Sequence, residues 1–234
     1  MTDNSQWSPA GTVFDPLPRS IYVTALFVIG TLSTLVTPAL IDGWARRYDW
    51  SESQLGLAVA VELAALAAGS LSALIWQRRW NWRKMALLAI VLAVAGNLSG
   101  LTLSSFVSVC VSRFVCGFGG GIMTGVYSAY VANARSPQRI IALTTLTQLI
   151  VLAVFMWGST ALLEAFSVYG LYLAFSLLLA SLTPFISVAP AYWPQDLEDD
   201  GGRNGERLGG FQHKHIAGLA VLLAFLPYLS LIHI

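Results

Sequence analysis

Six stretches of this chain, at 21–41, 53–76, 84–103, 105–133, 140–163 and 166–193, are each apolar over the roughly 20 helical residues needed to cross about 30 Å of hydrocarbon. A seventh opens at Ile216 and continues to Ile234. Inside lipid only helices and closed barrels satisfy every backbone N–H and C=O, and these runs are too long and too uniformly apolar for barrel strands. The pattern predicts an all-α membrane protein, a six-transmembrane-helix bundle plus a partial seventh helix. Composition agrees, since 56% of the 234 residues are hydrophobic and 11% charged, against about 25% charged in an average soluble domain. Little more than Ser104-Ser105 joins the third and fourth spans, which makes them antiparallel neighbours. Pro38 in the first span and Pro184 in the sixth predict local kinks.

Lysine and arginine in alternate connections set the orientation, because positive residues are retained on the cytoplasmic side. With the N-terminus inside, the cytoplasmic segments hold ten: Arg19, Arg78, Arg79, Arg83, Lys84, Arg135, Arg139, Arg203, Arg207 and Lys214. The opposite side holds only Arg46 and Arg47. Six of the eight tryptophans, Trp44, Trp50, Trp76, Trp80, Trp82 and Trp193, fall at span ends, where an aromatic belt sits. Residues 1–20 contain Asp3, Asp15 and three prolines and lack the pattern of a cleaved signal, so they read as a cytoplasmic tail. The stretch 194–215, PQDLEDDGGRNGERLGGFQHKH, is charged and glycine-rich and cannot bury enough apolar surface to fold alone. The expected organisation is therefore a tail at 1–20, a six-helix domain at 21–193, a flexible cytoplasmic linker at 194–215 and a truncated seventh helix at 216–234. The final LSLIHI resembles translated sequencing adaptor, which makes a non-native end and a truncated reading frame the expected explanation.

Two ionisable residues lie within the spans and carry the chemistry. Arg113 sits in the fourth, in LSSFVSVCVSRFVCGFGGGIMTGVYSAYVANA. An arginine in hydrocarbon costs at least about 2.5 to 3.5 kcal/mol on insertion scales, so it is retained facing water or a partner inside the bundle. Glu62 is the one ionisable residue within the second span. At 1.5 Å per residue it lies about 15 Å in from Glu52, and Arg113 about 12 Å in from Ser105, so the two share a similar depth. A carboxylate there gains or loses a proton as its surroundings turn wet or dry, which makes the pair a candidate for proton coupling or for lining a substrate cavity. A structural ion pair that fixes helix register is the competing reading. Gly117, Gly121 and Gly125 recur every fourth residue, placing all three on one helix face for close packing of a neighbour.

The run Arg113-Phe114-Val115-Cys116-Gly117-Phe118-Gly119-Gly120-Gly121, six spans, an inside N-terminus and a basic connection between the second and third resemble the N-terminal half of a major facilitator superfamily (MFS) transporter. Cys116 stands where that family commonly has glutamine. The cytoplasmic basic loop Arg78, Arg79, Arg83 and Lys84 is similar to the family's signature at its basic end, without its aspartate and central glycine. The fifth span lacks the glycine-proline signature of the family's drug/proton antiporters. The resemblance implies a domain of two three-helix repeats, a missing C-terminal half and alternating access between the halves. It also implies that the first, second, fourth and fifth helices border the path, making Thr34, Tyr127 and Gln148 substrate contacts and leaving Asn97 to inter-helix bonding. Residence in a plasma membrane, such as a bacterial inner membrane, follows from the same likeness.

The expected function is secondary active transport of a small organic solute, coupled to protons, with the lipid bilayer as surroundings. Arg113 favours an organic anion as long as Glu62 does not neutralise it. The alternative is a non-transporting six- or seven-helix membrane sensor or assembly partner. No nucleophile with a base, phosphate loop or metal-ligand set stands out, so neither an enzyme nor a metal or cofactor site is expected. Gly117 to Gly121 lies inside a membrane helix and is no dinucleotide loop. His213-Lys214-His215 reads as a solvated linker end, and Cys110 and Cys116 as buried thiols. The net charge of +1 and scattered basic clusters exclude nucleic-acid binding.

Overall fold

The computed structural model describes residues 17–134 and 136–191. The expected linker at 194–215 and seventh helix at 216–234 lie outside the described residues, as do residues 1–16, Arg135 and Trp193. The described residues form helices and no strand.

The first span is broken twice, into α1 (Leu17–Gly30), α2 (Leu32–Leu35) and α3 (Thr37–Arg47). Pro38 has no N–H for the Thr34 carbonyl and its ring crowds that oxygen. Thr37 Oγ1 donates to the Thr34 carbonyl instead, at 2.5 Å. The non-helical turn falls at Val36 (φ −91°, ψ 19°), and Pro38 occupies the first turn of α3. At the other break Thr31 Oγ1 donates back to the Phe27 carbonyl at 2.8 Å, a bond that bends helices.

Next come α4 (Glu52–Trp76), α5 (Trp82–Ser99) and α6 (Phe106–Ala132). At 1.5 Å per residue, the 25 residues of α4 and 27 of α6 are long enough, about 37 and 40 Å, to cross a bilayer. Each starts on a side-chain cap. Ser51 and Gln54 form a reciprocal capping box at α4, the Asn81 carboxamide accepts from Arg83 N at 2.9 Å, and Ser105 Oγ accepts from Ser108 N at 3.3 Å. These caps satisfy N–H groups that the first turn leaves without helical partners.

The last long element, α7 (Pro137–Ala180), contains both the fifth and sixth spans. Its 44 residues are divided by Ser167, at φ 56° and ψ −160°. On a straight helix Phe155 and Phe175 would stand about 30 Å apart, yet their rings stack with centroids 5.0 Å apart. The chain therefore reverses at Ser167, giving limbs α7a (137–166) and α7b (168–180). The sixth span, expected over 166–193, remains α-helical only to Ala180. A 3₁₀ helix, Thr183–Val188, follows with Pro184 in its first turn, because proline cannot continue the α-helical ladder.

The buried centre is α6, which meets three neighbours at backbone contact. A Cβ on Gly117 would strike the Glu62 carbonyl, and one on Gly121 the Leu66 carbonyl, with Ser70 N at 2.7 Å. On Gly125 it would lie 2.7 Å from Ala73 Cβ, so all three glycines face α4. Gly119 would meet Ala89 O of α5 at 2.7 Å, and Gly120 the Gly30 carbonyl of α1 at 2.6 Å. In contrast α7a is mostly exposed, and Trp157 on it is 86% exposed.

Two stability predictions follow from this backbone, both readable by thermal unfolding in detergent. Ser167 holds a conformation that only glycine adopts without strain, so Ser167→Gly should stabilise by about 1 kcal/mol and Ser167→Val should destabilise. Gly121→Ala should cost about 1 to 3 kcal/mol by forcing α4 away. Gly158→Ala, with nothing within 4 Å of the new methyl, should be neutral or gain up to about 1 kcal/mol.

Candidate functional site

The close approach of α4 and α6 decides what surrounds Arg113. Gly117 leaves room for the backbone of Glu62, whose Cγ would stand 3.1 Å from a Cβ at that position. Glu62 Oε2 thereby comes within 3.9 Å of Arg113 Nη1. Arg113 is 0% exposed and Glu62 2%, so the pair lies inside the bundle and not on an open face.

Four other elements complete its surroundings. Ser33 of α2 donates its hydroxyl to Glu62 Oε1 at 2.9 Å. Arg113 Nη2 donates to Asn97 Oδ1 of α5 at 2.8 Å. The Asn97 amide nitrogen donates to the Ala93 carbonyl at 3.0 Å, which fixes the oxygen toward the arginine. From α7b the Tyr172 ring covers the guanidinium with its centroid 4.9 Å from Cζ. The Tyr172 hydroxyl accepts from Trp44 Nε1 of α3 at 2.7 Å. Cys116 Sγ lies 3.8 Å from Ser33 Oγ.

Energetically the site is unevenly satisfied. At 3.9 Å the Glu62–Arg113 contact is too long for a hydrogen bond and acts through charge alone. Arg113 Nε and Nη1 have no hydrogen-bond partner among the described residues. Ser33 supplies the directed bond to the carboxylate and Asn97 the one to the guanidinium. Coulomb attraction in this low-dielectric setting is strong, but desolvation of both ions offsets much of it.

The structure brings Glu62 and Arg113 together and leaves the expected substrate contacts elsewhere. Gln148 of α7a donates from Nε2 to Thr31 Oγ1 at 3.4 Å, at the first break of span one. Tyr127 stacks on Phe27 of α1, with centroids 4.3 Å apart. Thr34 is buried on α2, its hydroxyl without a hydrogen-bond partner among the described residues. Gly117, Gly121 and Gly125 face α4. Arg78, Arg79 and Lys84 are exposed where α4 passes to α5. Arg83 turns inward and donates from Nε to the Ala189 carbonyl at 2.7 Å. Cys116 is buried and Cys110 half-buried.

Ser33, Asn97, Tyr172 and Trp44 were not picked out for this site by the sequence. Asn97 carried a readable signal, being the lone amide in an apolar span, and inter-helix bonding is what it does. Tyr172 and Trp44 carried none, because aromatic residues near span ends read as interface anchors.

Residues 22–232 match the family model for the Major Facilitator Superfamily. Comparison with curated proteins gives no match, and neither does comparison with solved structures. A family match spanning nearly the whole chain, on an all-helical bundle with membrane-length apolar helices, places this protein in the Major Facilitator Superfamily of membrane transporters.

Proposed function

We propose that this transporter moves a small organic solute by secondary active transport coupled to protons, with Glu62 as the group that gains and loses the proton. The observation that carries the reading is the site of Ser33, the hydrogen-bond donor to Glu62. It lies on a four-residue helix between two breaks in the first span. An ionised Glu62 accepts from Ser33 and faces Arg113. A protonated Glu62 no longer attracts Arg113 as an anion, and with the proton on Oε1 it becomes a donor to Ser33 Oγ, which turns that hydroxyl or shifts α2. Proton binding is thus read by the segment of the first span with the least helical support. Alternating access would then rock this six-helix domain against a second half beyond the present chain.

While Glu62 is ionised it neutralises Arg113, so a preference for an organic anion belongs to the protonated state alone. The N-terminus is assigned to the cytoplasm by the distribution of arginine and lysine, and the protein to a plasma membrane by its family. Thr34, Tyr127 and Gln148 are assigned to the solute path along the seam of the first span with α6 and α7a. No catalytic role is assigned to any residue.

A second reading has an observation of its own. The pair is buried from every side of the described bundle, as a purely structural ion pair would be. Vesicles loaded with a pH-sensitive dye and challenged with short carboxylates, sugars and amino acids separate the two. Glu62→Gln should abolish solute-driven proton flux while expression stays normal, and flux retained by Glu62→Gln would remove Glu62 from coupling. A stability cycle adds the complementary test. Glu62→Leu or Arg113→Leu alone should cost about 3 to 5 kcal/mol by leaving one buried charge uncompensated. The double variant should recover most of that loss in stability but no proton flux.

A further inference from the structure

The aromatic residues between the Glu62–Arg113 pair and the Arg46/Arg47 end of the bundle form a connected chain of contacts. Tyr172 covers the guanidinium face and is itself fully buried. Gly100, at the end of α5, lets the ring sit so close that a Cβ there would fall 2.7 Å from Tyr172 Cε2. Beyond Tyr172, Trp44 holds its hydroxyl and lies 6.4 Å, centroid to centroid, from Trp50. Trp50 stacks on Tyr48 at 4.3 Å and meets Phe106 edge-on at 5.4 Å. The contacts join α3, the α3–α4 connection, α6 and α7b.

We propose that Tyr172 is the positioning residue for Arg113, and that Trp44 tethers it as a lid that closes this end of the site to water. Among the described residues the Arg113 guanidinium has one hydrogen bond, to Asn97, and its Nε and Nη1 have no partner. One bond does not fix the plane of a guanidinium, whereas an aromatic face over it does, through cation–π attraction and exclusion of water. The tether places lid control on α3, which lies past the Val36 break and also packs on the reversal in α7. A Cβ on Gly43 would fall 2.9 Å from Leu163 Cδ2 and 3.0 Å from Val168 Cβ. When α3 separates from α7b, the indole leaves Tyr172 and water reaches the pair from this end. The lid deepens the proton-site reading, and its test does not depend on proton flux.

Cys116 supplies the reporter, since it is buried beside Ser33. In intact protein reconstituted in lipid vesicles and carrying Cys110→Ser, the rate of Cys116 modification is measured with a small membrane-impermeant sulfonated methanethiosulfonate. Tyr172→Ala removes both ring and tether and should react fastest. Trp44→Phe and Tyr172→Phe remove only the tether and should react about tenfold faster than the parent, the factor that corresponds to about 1.4 kcal/mol for one lost buried hydrogen bond. Phe175→Ala truncates an aromatic of similar size on the same helix that stacks on Phe155 instead, and should leave the rate unchanged.

Equal acceleration by Phe175→Ala, or no acceleration in Trp44→Phe and Tyr172→Phe, overturns the lid. The conservative pair decides the matter where Tyr172→Ala does not fold. Faster labelling alongside proton flux that survives Glu62→Gln would keep the lid and sink the proton site. Unchanged labelling alongside flux lost in Glu62→Gln would do the reverse.

Discussion

The approach of α4 to α6 along Gly117, Gly121 and Gly125 is the contact on which the rest of this bundle depends. In hydrocarbon there is no water to expel between helices, so association rests on van der Waals contact and inter-helix hydrogen bonds, both steep in distance. A methyl at any of the three positions would meet α4 closer than 3 Å, twice on a backbone carbonyl. Moving α4 outward by a side chain's thickness would also stretch the 3.9 Å separation of Glu62 and Arg113. The packing stripe and the charged pair are thus one feature, since Gly117 contacts the residue that carries the carboxylate. Gly119 and Gly120 extend the same economy of space to α5 and α1, which explains why α6 is buried nearly all round from Cys116 to Val131.

Polar groups are managed by the same scarcity of water. Hydroxyls in the spans mostly return to their own helix, as Thr124 does to the Gly120 carbonyl at 3.0 Å and Ser176 to the Tyr172 carbonyl at 2.8 Å. Such bonds satisfy the hydroxyl without joining helices. Ser70 also reaches the Gly121 carbonyl at 3.2 Å, adding an inter-helix bond at the closest point of the α4–α6 contact. Against that background Ser33, Asn97 and Trp44 stand out, because each directs a bond across helices and toward one centre. Other inter-helix bonds, such as Ser20 with Tyr130 and Thr24 with Thr144, lie along α1 away from the charges.

The helical class, the ends of α4 and α6 and the meeting of Glu62 with Arg113 were legible in the sequence. Each depends on a local rule, namely apolar length or equal depth from a span end. Expected ends at 53 and 105 for these two helices differ from the observed starts at Glu52 and Phe106 by one residue. The double break of the first span was only half legible. Pro38 announces a disruption, but its position at Val36 depends on which donor reaches the freed Thr34 carbonyl. The reversal at Ser167 was invisible because serine carries no signal for positive φ, and the contacts it makes, Phe175 on Phe155 and Gly170 against Leu162, pair residues that nothing in the sequence marks as partners. The surroundings of Arg113 were largely invisible too, since Ser33 and Tyr172 belong to spans distant in sequence and nothing in either span marks its partner.

One consequence concerns where flexibility and charge meet. Of the elements around the pair, α4, α5 and α6 are long helices held at backbone contact, and none can move without loss along a whole seam. The first span differs, because its breaks at Thr31 and Val36 have already given up continuous helical bonding. Both of its contacts with the site, Ser33 to Glu62 and Trp44 through Tyr172 to Arg113, are made by single hydrogen bonds on the pieces beyond Thr31. Each such bond is worth about 0.5 to 1.5 kcal/mol net, small against the packing of α4 on α6 and comparable to the energies by which ligands shift conformational equilibria. A rigid three-helix wall therefore holds the charges, and a segmented first span touches them through single hydrogen bonds, so under the proposed proton coupling the first span is the element that can respond without unpacking the helices that hold the pair.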